Sequence, residues 1–186
     1  MVLEIIGTIV GLVYLWLEYR ASIYLWIASI IMPAIYIFVY YEAGLYADFG
    51  INIYYLGAAL YGWMVWKFGH KPKDQKEFPI THMPKRSWLK AGVVFLVAQS
   101  LIAGVLINYT DSDVAGWDAF TTALSIIGMW MLARKYLEQW WVWIVVDVVC
   151  VGLYIYKELY FTAGLYALYA IIAIFGWLNW KKLMKV

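Results

Sequence analysis

Trp140, Trp143 and Asp147 stand at i, i+3 and i+7, so in a helix two indoles and one carboxylate share a face. Indole faces attract cations and a carboxylate supplies the formal counter-charge, a combination suited to holding a flat organic cation. Asp147 follows Gln139 by eight residues within an apolar run, about 12 Å of helical rise. An ionised side chain at that depth of a lipid-embedded helix costs about 2.5–3.5 kcal/mol on insertion scales, and such residues mark pathways or sites. The bland alternative is an Asp hydrogen-bonded to a neighbouring helix, with the Trp rings as belt residues.

A second polar stripe recurs at about 100° per residue: Asp48, Asn52, Tyr55, Ala59, Gly62, Trp63 and Trp66. It is echoed later by Thr162, Tyr166, Tyr169, Ala173, Gly176, Trp177 and Trp180. Asn52 and Tyr55 both donate and accept hydrogen bonds, Tyr166 and Tyr169 offer rings with polar tips, and the small residues let helices approach. Gln99, Thr121, Thr122 and Ser125 rank lower, because hydroxyls commonly satisfy themselves on their own helix. Glu4 and Glu18 fall near helix ends and are expected to be solvated. Cys150, the one cysteine, reads as a small buried hydrophobe. His70 and His82 read as solvated loop residues rather than metal ligands, being twelve apart without suitable acidic or thiol company. Neither a catalytic pair nor a metal set accompanies Asp147, so no catalytic residue, metal or cofactor is expected.

The elements that hold these residues must be helices in lipid. The chain has 186 residues, of which 66% are hydrophobic and 14% charged, with a mean hydropathy of +0.73, far from the roughly 25% charged of a soluble domain. A net charge of +2 argues against nucleic acid as partner. Apolar runs near 3–17, 23–39, 46–66, 88–108, 117–133, 140–156 and 161–180 predict seven transmembrane helices. Strands are excluded, since the runs lack the alternation of a barrel. All of the 14 Lys and Arg residues except Lys157 fall on one side of a seven-crossing chain. The positive-inside rule then predicts an outside amino terminus and a cytoplasmic carboxyl terminus.

The chain also resembles itself. Residues 11–27 align with 128–144, pairing Gly11 with Gly128 and Trp26 with Trp143. Residues 50–66 align with 164–180, pairing Tyr55 with Tyr169, Gly62 with Gly176 and Trp66 with Trp180. Two three-helix units of the same orientation need an extra crossing between them. The predicted plan is 3+1+3: a first three-helix bundle at 1–67, a cytoplasmic linker at 68–87, an inverting helix at 88–108 and a second three-helix bundle at 117–182. Parallel repeats of this kind occur in transporters that hold substrate near the midplane between their halves.

This plan, with W-x-x-W-x-x-x-[polar] from Trp140 to Asp147 and G-W-x-x-W from Gly176 to Trp180, resembles the PnuC family of bacterial B-vitamin transporters, relatives of the SWEET sugar transporters. The resemblance covers essentially the whole chain. It implies a homotrimer in the bacterial inner membrane, working by facilitated diffusion and carrying nicotinamide riboside, thiamine or riboflavin, with a cytosolic kinase trapping the vitamin. The family motif ends in Asn where this chain has Asp147, which directs the expectation to thiamine, with nicotinamide riboside as the alternative and a proton-coupled carrier after it. The site set expected is Asp147, Trp143, Trp140, Asn52, Tyr55, Tyr166, Tyr169, Asp48, Gln99 and Thr121.

Overall fold

The structure is a computed structural model that describes residues 2–42, 46–71, 77–110 and 113–184; within these, the side chains of 2–8, 32, 39, 40 and 46–48 are left undescribed. Seven helices follow one another: α1 (Val2–Tyr19), α2 (Leu25–Glu42), α3 (Tyr46–Phe68), α4 (Lys85–Tyr109), α5 (Ala115–Ala133), α6 (Gln139–Tyr156) and α7 (Tyr160–Leu183). Their ends fall within three residues of the apolar runs. No strand occurs among the described residues, and Thr81 and Tyr136 form an isolated bridge. By length and composition α4, α6 and α7 are suited to crossing a membrane, with mean hydropathies of 2.0, 1.5 and 1.8. Tyr, Gly and Asn dilute α3, and Asp and Thr dilute α5. Of the charges used for orientation, Lys73, Lys76, Asp111 and Lys185 lie outside the described residues, as does the side chain of Glu4.

The chain forms two compact units, Met1–Pro79 with Ala133–Lys135, and Ile80–Leu132 with Tyr136–Val186. In the first unit α2 packs along α3, and α1 meets α2. The closest approach is made by Trp26, whose ring lies against Gly62 where any Cβ would intrude. Its edge meets Trp66 at 5.5 Å between ring centroids and 90° between planes.

In the second unit α6 packs along α7 in the same manner. Trp140 lies on Gly176, where a Cβ would come within 2.5 Å of the ring. It meets Trp180 edge-on at 5.6 Å and 89°. The unit also holds α4 and α5, which are joined by Phe95 against Phe120 at 5.6 Å. Met83, Ala91, Ile127, Met131, Tyr136 and Val142 form the core beside them. Many of the other apolar side chains of α4, among them Leu89, Leu96 and Leu101, are exposed, which suits contact with lipid. Lys157, the basic residue expected to lie apart from the other thirteen, pairs with Asp118 at 3.7 Å.

The two Trp–Gly contacts repeat at one spacing: 114 residues separate Trp26 from Trp140, Gly62 from Gly176 and Trp66 from Trp180. The turns before α2 and α6 obey it too. Ala21 and Lys135 both take left-handed backbone conformations, with φ of 51° and 52°. The following amide in each turn bonds the carbonyl five residues back, Ser22 N to Leu17 O at 2.9 Å and Tyr136 N to Met131 O at 3.0 Å. The expected pairing of Trp26 with Trp143 and Gly11 with Gly128 is therefore corrected by three residues. Three residues is nearly one helical turn, so aromatic-rich helices match almost as well in the neighbouring register. In the corrected register Trp143 falls on Ser29, Gly128 on Tyr14 and Asp147 on Pro33.

If the Trp–Gly approach sets the helix spacing, Gly176→Ala should destabilise the folded protein by about 1–3 kcal/mol through overpacking, read as a lower melting temperature in detergent. Gly164, whose Cβ position is open, serves as the control. Gly164→Ala should leave the melting temperature unchanged or raised, and equal effects at both positions would dismiss the wedge.

Candidate substrate site on α6 and α7

The Trp140–Gly176 contact fixes the register of two consecutive helices that run in opposite directions. Seven residues along α6 from Trp140 stands Asp147, and seven residues back along α7 from Gly176 stands Tyr169. Both steps are about 10 Å, so the carboxylate and the tyrosine come to one level. Asp147 is 7% exposed and accepts no hydrogen bond among the described residues. Cys150, Tyr166 and Tyr169 lie within electrostatic range of it. The rings of Tyr154 and Tyr166 stand 5.1 Å apart and those of Tyr166 and Tyr169 5.5 Å apart, a row of aromatic faces with polar tips beside a lone buried acid. A buried carboxylate without a protein partner is costly to keep ionised. A cationic ligand lying along the tyrosine row would supply the missing counter-charge and gain ring contact.

The other expected residues are distributed less simply. Trp140 and Trp143 are on the expected side of α6 but touch different helices. Trp140 is wholly buried between Gly176 and Trp180, a packing position. Trp143 lies over Gly128 of α5, where a Cβ would be 3.1 Å from the ring. The indole nitrogens of both are buried without hydrogen-bond partners. Thr121 donates its hydroxyl to carbonyls of its own helix, Asp118 at 3.1 Å and Trp117 at 3.2 Å, as hydroxyls in helices commonly do. Gln99 is half-buried on α4. Asn52 and Tyr55 are half-buried on α3 in the first unit, Tyr55 beside Tyr54 at 5.7 Å. The side chain of Asp48 lies outside the described residues.

One residue beside the site was missed from the sequence: Tyr154 is seven residues beyond Asp147 on α6, and helical spacing alone was enough to find it. At the start of α6, away from the site, Gln139 is fully buried with neither amide atom hydrogen-bonded among the described residues.

One sequence expectation is overturned outside the site. Glu18 is 1% exposed rather than solvated. It sits one helical turn after Tyr14, which shares a side-chain hydrogen bond with Ser29 of α2, so this last turn of α1 faces the neighbouring helix. His82 is a solvated loop residue as expected, 66% exposed, and gains one acidic partner: its Nδ1 stands 2.7 Å from Glu138 Oε1, and Glu138 Oε2 accepts the Met83 amide at 2.9 Å. The pair clasps the entry of α4 to the entry of α6. No group of three metal-ligating side chains occurs among the described residues.

A second polar cluster lies at the turn before α6. The left-handed Lys135 sends its ammonium inward at 3% exposure. There it donates to the Phe78 carbonyl at 2.9 Å and lies 4.3 Å from the Trp66 ring centroid. Glu77 stands 3.7 Å away. Burial pulls Lys135 down from 10.5 to about 8, partly offset by Glu77. Trp66 Nε1 donates to the Ala133 carbonyl at 3.1 Å, tying this segment to the end of α3.

Helices long and apolar enough to cross a membrane, with a buried carboxylate that has no hydrogen-bond partner among the described residues beside a row of tyrosines, suit a multi-pass membrane protein of the small-molecule transporter class. A model of the family described as nicotinamide mononucleotide transporter matches residues 1–182. The chain belongs to that family, the PnuC family. Among its relatives is the nicotinamide riboside transporter PnuC of Escherichia coli, 24% identical over 204 residues, covering 95% of this chain and 85% of the relative. Another is the riboflavin/roseoflavin transporter RibM of Streptomyces davaonensis, 25% identical over 182 residues with 95% and 83% covered. The crystal structure of the vitamin B3 transporter PnuC has the same fold, with a TM-score of 0.69 at 22% identity, covering 96% of this chain and 80% of that one.

Lys135 gives the protein a pH signature. Its folded value lies below the unfolded one, so the folded state binds fewer protons between about pH 8 and 10.5. This group's contribution to stability should therefore rise as pH climbs through that window, by on the order of 1–3 kcal/mol. Melting curves at about pH 8 and about pH 10.5, the two ends of that window, should show a smaller pH dependence for Lys135→Met than for the unaltered protein. Identical slopes would remove the buried-ammonium account.

Proposed function

We propose that the protein carries nicotinamide riboside across the bacterial cytoplasmic membrane by facilitated diffusion, holding the vitamin at Asp147 and the tyrosine row of α7. The carrying observation is the buried carboxylate of Asp147, which has no hydrogen-bond partner among the described residues and lies beside Tyr166 and Tyr169. Nicotinamide riboside has a flat, permanently charged ring, which such a site suits: the charge answers Asp147, and the ring lies against aromatic faces. In a low-dielectric interior that pairing is stronger than in water. Trp143 edges the same side of α6 and contributes a further aromatic surface.

The substrate choice moves from the thiamine expected from Asp147 to nicotinamide riboside, because relatives matching nearly the whole chain are named for nicotinamide riboside or riboflavin. Thiamine stays as the second reading on one specific observation, the Asp at the position where the family motif has Asn. Passive transport is supported by the lack of any nucleotide-binding loop in the sequence. The 3+1+3 plan with seven crossings and a cytoplasmic carboxyl terminus is supported by the one-sided Lys and Arg distribution and by the repeated turn and Trp–Gly contact. The resemblance supports a homotrimer.

Calorimetric titration of the purified protein with nicotinamide riboside, thiamine and riboflavin should rank the first tightest. Asp147→Asn should weaken that binding by roughly tenfold or more, the loss expected when a buried charge pair is broken. Its melting temperature should not fall, because no protein hydrogen bond is lost. Unchanged affinity with a lowered melting temperature would falsify the site. Vesicles holding the protein and no kinase should equilibrate the vitamin, and accumulation driven by a proton or sodium gradient would replace facilitated diffusion with coupling.

Crossing number has its own check. Cysteines placed at Ser87, in the first turn of α4, and Gly116, in the first turn of α5, should be labelled from opposite sides of the membrane. Labelling of both from one side would remove the inverting helix and the 3+1+3 plan with it.

A further inference from the structure

The first unit contains a cavity of about 640 Å³ between the end of α1, the turn into α2, the end of α3 and the segment carrying Lys135. Among the described residues, Arg20, Lys67, Lys71 and Lys135 line it together with one acid, Glu77. That surplus of positive charge is unsuited to a cationic vitamin, so the cavity is no part of the site on α6 and α7.

The basic groups are held in place rather than scattered. Lys135 is 3% exposed and turned inward from a left-handed backbone, a conformation unfavourable for a non-glycine residue. Arg20 lies over the Trp16 ring at 5.1 Å, and Lys67 lies over the Trp63 ring at 4.5 Å. Glu77, the acid nearest to Lys135, is 82% exposed, so water weakens its opposing charge without removing it. We propose that this cavity is a binding site for an organic phosphate, with Lys135 at its base and Arg20, Lys67 and Lys71 around the group. A phosphomonoester carries nearly two charges and several strong acceptor oxygens, which a singly charged carboxylate does not. Arginine and lysine are the side chains that meet it through charge-assisted hydrogen bonds. Ligand pockets run from about 300 to 1,000 Å³, so the volume admits a nucleotide-sized molecule and exceeds what inorganic phosphate fills. The same group reaches the protein either on a soluble phosphomonoester or on a phospholipid head.

The test uses the full-length protein in detergent at neutral pH, titrated with adenosine monophosphate, adenosine and inorganic phosphate. Adenosine monophosphate should bind saturably, inorganic phosphate more weakly and adenosine not at all. The double variant Arg20→Gln/Lys71→Gln should weaken nucleotide binding by at least about tenfold while leaving nicotinamide riboside affinity unchanged. Glu77→Gln should tighten nucleotide binding several-fold, a gain that misfolding cannot produce. Reconstitution into phosphatidylcholine vesicles with and without phosphatidic acid separates the two sources: loss of nucleotide binding only with phosphatidic acid assigns the cavity to a lipid head, and retention in both assigns it to a soluble phosphate. No saturable binding of the nucleotide, or binding unaltered in both the double variant and Glu77→Gln, overturns the proposal.

Discussion

An indole ring pressed against a position with no Cβ holds each unit of this protein together. Trp26 on Gly62 and Trp140 on Gly176 set how closely α2 approaches α3 and α6 approaches α7. Helices in lipid gain little from hydrophobic burial against one another, since the tails are as apolar as the side chains, so close packing at small residues has to supply the association. The same contact is a ruler. It brings Asp147 level with Tyr169, and by the same count in the first unit it brings Pro33 level with Tyr55.

The two units share this mechanical part and differ in their chemistry. At the 114-residue spacing, Tyr14 and Ser29 stand where the second unit has Gly128 and Trp143, so a tyrosine beside a small residue is exchanged for a glycine beside a large ring. Pro33 stands where the second unit has Asp147, and Asn52 where it has Tyr166. At this position the carboxylate thus occurs in the second unit alone. The turns have diverged in the opposite sense, for the left-handed position is alanine in one and lysine in the other. The lysine-bearing residues Ala133–Lys135 pack with the first unit, which concentrates positive charge around the end of α3.

Much of this was readable in the chain before any coordinates. Hydrophobic runs located all seven helices because an apolar stretch bounded by charge is the same signal whether or not its neighbours are known. Asp147, Tyr166 and Tyr169 were singled out by residue type and helical period, and the structure brings them together. The register of the repeat was misjudged by nearly one turn, because sequence matching among Trp- and Tyr-rich helices scores adjacent turns alike. A common face for Trp140 and Trp143 followed from their spacing on α6, whereas the helix that each ring touches depends on where α5 and α7 lie.

The sequence by itself determined the helical class, the helix boundaries and the presence of one acid inside an apolar run, all of which depend on residues near one another along the chain. Only the tertiary structure decided that Glu18 is buried, that His82 meets Glu138, and that Lys135 turns inward onto Trp66 and Phe78. Helix ends and loops acquire their surroundings from segments distant in sequence. For a charged side chain, that surrounding decides whether its counterpart is water, a carbonyl, a ring or a ligand.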